Sequence, residues 1–251
     1  MSTLYMLWDE AHIWGLLAWR ALAALGLPHR MVRAEEIAQG ALAGKPKVLI
    51  VPGGVARRKA QKLGELGLAA IRDYVAAGGV YMGFCGGAGL GLSDEYGLGL
   101  CPWHRAAMRD RLLHLVSGHI HVETMDKHAF VPQFSHNGGA LPLIPVWWPA
   151  RFEPKDDGAV RVLARYASPG PDFWLADMPV ASLPASAVSQ WEDSFGVRFR
   201  PALAGKPCII EGVYGKGRYL LSYAHLETPN SPDANRWLAH VLAQFTGHPS
   251  P

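Results

Sequence analysis

The amino-terminal third of the chain alternates short apolar runs with longer segments of helical periodicity. Residues 4–8, 47–51 and 80–84 are short apolar runs that predict buried β-strands, and residues 29–33 predict a further strand. Because helical segments separate most of these strands, we expect the strands to be parallel and joined by crossovers. The pattern predicts an α/β fold, a doubly wound and mostly parallel sheet with helices on both faces. Such sheets carry their sites just beyond the carboxyl ends of the strands.

Two helices are predicted between these strands. The first is capped by Asp9 and ends at Gly26 and Pro28, and its apolar positions recur at helical spacing at Ile13, Leu16, Leu17, Ala21, Ala24 and Leu25. The second covers residues 63–77, and its predicted inward-facing positions are Leu66, Ile71, Tyr74 and Val75.

The middle of the chain, residues 94–207, is less regular and is interpreted as an insertion that covers the site or forms an interaction surface. Residues 113–124 alternate polar and apolar side chains, which predicts an exposed edge strand. Residues 140–152 are rich in proline and tryptophan and predict a rigid aromatic loop. Residues 160–166 predict another strand.

The carboxyl-terminal part returns to a regular pattern. Residues 208–213 and 217–223 predict a hairpin whose turn contains Gly215. Pro232 is predicted to open the last helix. No break in composition marks a second domain, so residues 1–251 are predicted to form a single domain.

Composition limits the class of protein. Hydrophobic residues make up 49% of the chain and charged residues 18%, which suits one large α/β domain. Three scattered cysteines cannot form a disulfide framework, so a reducing, cytoplasmic setting is expected. The formal charge of +3 is too slight to indicate nucleic-acid binding, and no apolar run is long enough to indicate a membrane span. We predict no cofactor.

A cysteine stands where a strand meets a glycine-rich turn. Cys85 directly follows residues 80–84 and precedes Gly86 and Gly87. In a nucleophile elbow, a strained turn exposes the reactive side chain at the end of the strand. The N–H groups at such a turn lower a thiol pKa and can stabilise an oxyanion. A buried structural cysteine is the alternative, and these residues alone leave both interpretations open.

A histidine and a glutamate follow the last predicted strand. His225 lies in a loop at a strand end, where a base that serves Cys85 is expected. Glu227 is two residues further on, and in an extended segment such side chains share a face. Its carboxylate could accept from the imidazole and fix the tautomer. Taken alone, the pair is better interpreted as two solvated surface residues.

Three motifs occur in a definite order: Pro-Gly-Gly at 52–54, Gly-Phe-Cys-Gly-Gly at 83–87, and Leu-Ser-Tyr-Ala-His-Leu-Glu at 221–227. This order resembles the class I glutamine amidotransferase-like superfamily, whose distal motif is usually His-Pro-Glu; here Leu226 replaces the proline. Within the superfamily, the chain is most similar to the N-terminal domain family of biotin-protein ligases. The supporting segments are 63–67, 71–75, 136–139, 162–166 and 215–218.

The resemblance implies a flavodoxin-like fold and a Cys-His-Glu triad. It implies Cys85 as nucleophile, His225 as general base and acid, and Glu227 as the residue that orients the imidazole. The backbone N–H groups of Gly54 and Gly86 would form the oxyanion hole. Biotin ligation is not implied, because that activity belongs to a separate catalytic domain. Three further residues are candidates for substrate binding, namely Gly53, Asn137 and Gly138.

Two other polar clusters have more than one interpretation. His119, His121 and Glu123 share one face of a predicted strand, and a solvated polar face is favoured over a metal site there, so no metal is predicted. A basic turn just after Gly54 is interpreted as solvated, with a weaker alternative of attracting an anionic substrate; it comprises Arg57, Arg58 and Lys59.

The sequence therefore predicts a cysteine hydrolase or amidotransferase-like enzyme that acts on an amide or acyl bond of an unidentified, small-molecule substrate. A non-catalytic binding or regulatory domain with the same fold is the alternative, and a peptidase is a weaker third interpretation. A protein partner is left open.

Overall fold

The computed structural model describes residues 4–107, 116–125, 128–134, 141–155, 158–175, 178–179, 183–195 and 203–247. The strands of these segments are β1 (Leu4–Leu7), β2 (His29–Val32), β3 (Val48–Val51), β4 (Val80–Phe84), β5 (His104–Arg105), β6 (Val116–Thr124), β7 (Leu143–Trp147), β8 (Phe152–Glu153), β9 (Val160–Pro169), β10 (Trp174–Leu175), β11 (Met178–Pro179), β12 (Pro207–Tyr214) and β13 (Gly217–Ser222). The helices are α1 (His12–Ala24), α2 (Ala34–Ala38), α3 (Ala56–Ala76), α4 (Gly86–Leu90), α5 (Ala185–Phe195) and α6 (Pro232–Thr246), with a 3₁₀ turn at Ala41–Gly44.

In the described segments, eleven strands form one mixed sheet. Its order is β11-β10-β6-β9-β12-β13-β4-β3-β1-β2, and β7 pairs with β6. β3 and β13 both run parallel to β4, on either side of it. The carboxyl ends of these three strands therefore meet side by side at one edge, as the sequence predicts for the motifs that follow them.

Helices cover both faces of the parallel half. Leu4 and Met6 of β1 join a core that contains buried residues of α1 and α6, whereas Tyr5 and Leu7 join a core on the opposite face with residues of α2 and α3. This alternation follows from the two-residue period of a strand that is buried on both sides. The predicted doubly wound α/β fold is confirmed. No helix in the described segments has both the length and the apolar character needed to cross a bilayer.

The first helix differs from the sequence prediction in its buried face and its cap. α1 buries Trp14 and Leu22 but leaves Ile13 60% and Leu16 48% exposed. Asp9 does not cap α1; its carboxylate accepts a hydrogen bond from the N–H of Ala34, at 2.6 Å, at the start of α2. The reason is topological, because β1 and β2 are neighbours and bring the two loops together.

α3 is longer than predicted because it is kinked. It begins at Ala56, and Gly64 adopts a φ of 62° inside it, so the helical periodicity changes phase at that residue. Leu66 is consequently 73% exposed, whereas Ile71, Tyr74 and Val75 are buried as predicted.

The middle of the chain contains more sheet than the sequence suggests. β6 lies inside the sheet, flanked by β9, β7 and β10, and is not an edge strand. The predicted aromatic loop at 140–152 contains β7, whose Ile144 and Val146 are fully buried. Residues 113–115 and 140 lie outside the described residues. The predicted hairpin and last helix are confirmed, with a two-residue turn at Gly215 and Lys216.

Candidate active site

Cys85 occupies a strained turn between β4 and α4. Its backbone has φ 47° and ψ −107°, a conformation that L-residues rarely adopt, and its N–H donates to the Ser222 carbonyl at 2.7 Å. The turn needs small neighbours, because a Cβ on Gly83 would stand 2.5 Å from the Gly87 carbonyl oxygen. This local structure is that of a nucleophile elbow, with a partly exposed cysteine at its apex.

The His225 side chain lies directly beyond β13, which runs beside β4. It is fully buried, and its Nδ1 is 2.8 Å from Oε1 of Glu227, which is also buried. The ring stacks on Trp14, with a centroid distance of 4.6 Å, and meets the edge of Trp147 at 5.2 Å. These contacts fix the ring so that its other nitrogen, Nε2, is turned away from Glu227.

Cys85 and His225 are electrostatically coupled. Burial disfavours the thiolate, but the interaction with the neighbouring His225 imidazole outweighs it, so the pKa of Cys85 is lowered. Burial also disfavours the imidazolium, but the charge of Glu227 and the interaction with Cys85 outweigh it, so the pKa of His225 is raised. Nε2 of His225 has no hydrogen-bond partner of good geometry within the described residues.

The backbones of Gly54 and Gly86 lie against each other. A Cβ on Gly86 would collide with the Gly54 carbonyl and lie 3.2 Å from the Gly54 nitrogen. This approach follows from the pairing of β3 with β4, since both glycines lie in the connections after those strands. The backbone N–H of Gly86 interacts with Cys85, and the Gly54 backbone lies beside it.

Lys59 is a buried cation behind this site. It is fully buried, and its Nζ donates to the Glu10 carbonyl at 2.9 Å and the Asp9 carbonyl at 3.4 Å. Burial lowers the pKa of Lys59 to about 8, against the opposing charges of Cys85, Glu10 and Asp9. The prediction of a solvated basic turn is thus wrong for Lys59, although Arg57 and Arg58 are exposed. A lysine that begins a helix gives no sequence signal of such burial.

A cavity of about 730 Å³ opens onto Cys85. Its inner end is lined by Gly54, Gly86, Trp14 and Tyr223. Its exposed end contains Ile13, Val55, Arg57, Tyr96, Arg105 and Trp148. Glu10, His12 and Trp148 near this mouth all have positive φ, so backbone strain is concentrated here.

The remaining predicted site residues have different outcomes. Gly53 is buried, and a Cβ there would meet Trp14 at 3.0 Å or less, so Gly53 supports the ring that stacks on His225. Asn137 and Gly138 lie outside the described residues. Trp14 and Tyr223 were missed by the sequence analysis; for Tyr223 the only signal was its position between a strand end and His225.

The histidines of β6 serve other contacts. Nδ1 of His119 is 2.7 Å from the Asp172 carboxylate, and its Nε2 is 3.1 Å from the Ser231 hydroxyl. Nδ1 of His121 is 3.1 Å from the Leu141 carbonyl oxygen. Within the described segments, no group of three or more histidine, cysteine or acidic side chains is arranged to hold a metal ion.

Solved structures share this fold. A putative component of GMP synthase from Thermoplasma acidophilum superposes with a TM-score of 0.57 at 13% identity, covering 98% of this chain and 96% of its own. PurLQS from Thermotoga maritima gives a TM-score of 0.59 at 14% identity, covering 96% and 97%. A β-galactosidase from Rahnella sp. R3 gives 0.53 at 13% identity, covering 99% of this chain, which spans only 32% of that enzyme. At these identities the likeness establishes the fold alone.

The family assignment comes from the sequence. No curated protein matches this chain at a significant level. The family model described as "Biotin-protein ligase, N terminal" matches residues 28–240, which is most of the chain. This match confirms the resemblance to that family. The chain belongs to the biotin-protein ligase N-terminal family.

Proposed function

We propose that this protein is a cysteine-dependent enzyme that cleaves or transfers an amide-type acyl group through Cys85, His225 and Glu227. The proposal rests on a strained cysteine at the end of β4 and a histidine at the end of the adjacent strand β13, whose Nδ1 is held by a buried carboxylate. Each of the three parts has a specific physical task in acyl transfer.

The first half-reaction forms a thioester. The Cys85 thiolate attacks the substrate carbonyl carbon, and the oxygen gains negative charge, which the N–H groups of Gly54 and Gly86 stabilise. The tetrahedral adduct collapses when the carbon–nitrogen bond breaks. The His225 imidazolium gives its proton to the departing amine, so the acyl group stays on sulfur and the amine leaves neutral.

The second half-reaction releases the acyl group. Neutral His225 takes a proton from water, or from an acceptor amine, as that nucleophile attacks the thioester carbonyl. Collapse of the second adduct expels the Cys85 thiolate and restores the imidazolium. Glu227 stays ionised throughout and stabilises the positive charge of the ring.

The proposal is tested by site-resolved alkylation with iodoacetamide at neutral pH, followed by peptide mass spectrometry. We expect Cys85 to react far faster than Cys101 and Cys208, which are fully buried. Burial alone could produce that order, so the decisive comparison is Cys85 in the wild type and in His225→Ala. Its rate should fall in the variant, because the thiolate loses its partner.

The functional readout is hydrolysis of a panel of p-nitroanilides, with the acyl-enzyme detected by intact mass. An adduct on wild-type protein that is absent in Cys85→Ser supports the enzyme. If Cys85 alkylates equally fast in both proteins and no amide is cleaved, the enzymatic proposal fails. A Cys85→Ser protein that keeps its ligand and its cellular effect would instead identify a binding domain.

A further inference from the structure

The cavity at Cys85 has a chemical character that glutamine does not need. Its volume of about 730 Å³ lies in the range of pockets that hold drug-sized ligands, well above the requirement of one amino acid. Four of its lining residues are tryptophan or tyrosine, namely Trp14 and Tyr223 at the inner end and Tyr96 and Trp148 at the mouth. Such walls bind a bulky apolar or planar group.

The exposed apolar side chains at the mouth support the same conclusion. Trp148 is 54% exposed, Ile13 60% and Val55 50%, and all three line this one cavity. A cluster of exposed large apolar residues around a cleft marks a binding surface, whereas single ones are common on any protein. Trp148 is moreover held in a left-handed backbone conformation, with φ 51°.

A cation is available at the open end of the cavity. The guanidinium of Arg57 lies 5.0 Å from the centre of the Tyr96 ring, which orients it, and it forms no ion pair within the described residues. The carboxylate of Asp94, which also lines the cavity, is already bonded by the His104 ring, at 3.0 Å, and by the Arg105 N–H, at 3.1 Å. Arg57 is therefore free to pair with a ligand.

We propose that the substrate is an amide with a bulky apolar group and a carboxylate remote from the scissile bond. The apolar and aromatic side chains of the cavity hold the apolar group, and Arg57 pairs with the carboxylate at the mouth. This inference rests on the proposed function for the cleavage step, but the recognition of the ligand can be measured without catalysis.

The experiment uses three p-nitroanilides that share one leaving group. Their acyl parts are para-carboxyphenylpropionyl, phenylpropionyl and γ-glutamyl. Binding is measured by calorimetry on Cys85→Ala protein, and hydrolysis is measured on the wild type. We expect the carboxylated aromatic compound to bind about three- to tenfold tighter than the uncharged one, and both to bind tighter than the γ-glutamyl compound.

Two variants, each with a matched control, test which residues bind the carboxylate and the aromatic group. All are made in the Cys85→Ala background. Arg57→Gln should abolish the advantage of the carboxylate, whereas Arg58→Gln, an exposed neighbour outside the cavity, should keep it. Trp148→Ala should weaken both aromatic compounds about tenfold. Trp19→Ala removes an exposed ring of α1 that lies outside the cavity, and it should leave the binding of both compounds unchanged.

The outcomes separate the two proposals. Tightest binding of the γ-glutamyl compound, no binding of any compound, or an equal effect of Arg57→Gln and Arg58→Gln overturns the substrate inference. Cleavage with γ-glutamyl preference leaves the enzyme proposal standing. The expected binding order without any cleavage or acyl-enzyme supports the recognition chemistry and counts against the enzyme.

Discussion

Two buried glutamates of the described segments each pair with a histidine, in surroundings that differ in one respect. Glu227 lies 2.8 Å from His225, and Glu211 lies 3.2 Å from His128. Glu211 also faces Arg218 at 3.4 Å and Arg161 at 3.9 Å, so arginines balance its charge. Within the described part of the chain, Glu227 forms no ion pair with an arginine; instead, the far side of its histidine faces Cys85.

A buried carboxylate–imidazole pair is therefore not in itself a reactive site. At Glu211 the positive charge is supplied by side chains that cannot lose a proton, so the cluster is an electrostatic anchor for β12 and β13. In the proposed mechanism, the positive charge at Glu227 is a proton on His225, which the Cys85 thiol supplies and the departing amine removes. We expect substitutions at the two pairs to have different consequences.

We expect the largest difference in activity between substitutions of the two histidines, His225 and His128. His225→Ala should lower amide hydrolysis by about 10²–10⁴-fold, because it removes the general acid and base. His128→Ala, at the anchor, should leave kcat/KM within about threefold of the wild-type value, because no step of the reaction passes through it. The measurement is steady-state kinetics on the best p-nitroanilide, with thermal unfolding as a check that both proteins are folded. Equal losses in the two variants would contradict the distinction.

We expect the second largest difference between substitutions of the two glutamates, Glu227 and Glu211. Glu227→Gln should lower kcat by about 10²-fold or more, because the imidazole loses the partner that fixes its tautomer and stabilises its charge. Glu211→Gln should instead lower the free energy of unfolding by about 1–2 kcal/mol with kcat unchanged. Denaturant titrations and kinetics on both variants test this. A purely structural role for Glu227 would appear as lost stability with an unaltered pH profile of kcat.

Cys85 and His225 should also affect how the free energy of unfolding depends on pH. The raised pKa of His225 stabilises the fold below the unfolded-state value, about 6.5, and that contribution is lost as pH rises toward the folded-state pKa. The lowered pKa of Cys85 acts oppositely, adding stability as pH rises toward its unfolded-state value, about 8.5. Between about pH 6.5 and 8.5 the two pH dependences cancel in the wild type, because folding moves one proton from the Cys85 sulfur to the His225 nitrogen and the number of bound protons does not change.

Cys85→Ser removes the thiol contribution and leaves the His225 contribution uncompensated. The unfolding free energy of this variant, relative to the wild type, should fall by up to about 1.4 kcal/mol per pH unit between about pH 6.5 and 8.5. Urea titrations of both proteins across this range measure the difference, and other titrating groups cancel in it. Parallel curves would mean that the pair is neutral in the native state.

The smallest effect should come from Lys59. Lys59→Met removes the buried ammonium that holds the Asp9 and Glu10 carbonyls beside Gly54. We expect kcat/KM to fall about three- to tenfold and the alkylation profile of Cys85 to shift to higher pH. Lys62→Met, an exposed position on the same helix, is the control and should change neither. An unchanged alkylation profile in Lys59→Met would reduce Lys59 to a structural role.

Much of the parallel half of the sheet was predictable, because its strands are buried on both faces and consist of continuous apolar runs. The elbow at Cys85 and the spacing of His225 and Glu227 are local patterns, so the sequence contains them directly. The buried state of Lys59 was not predictable, because it depends on the distant Asp9–Glu10 turn. The prediction of a loop was wrong for β7, because its neighbour β6 supplies a pairing that the prolines of this segment disfavour.

The exposed face of α1 shows a second limit of prediction from the sequence pattern. Periodicity predicts the helix but not the face it buries, since α1 is apolar nearly all round. The exposed side, with Ile13 at the cavity mouth, follows only from the docking of Trp14 against His225. A functional surface on an apolar helix is therefore invisible to pattern analysis.

The central claim is that Cys85 shares its proton with His225 in the native protein. The most direct measurement is the ultraviolet absorbance of the thiolate, taken as wild type minus Cys85→Ser and titrated against pH. The account predicts a thiolate signal already present at neutral pH that moves to higher pH in His225→Ala. A signal that rises only near pH 8.5, identically with and without His225, would contradict it.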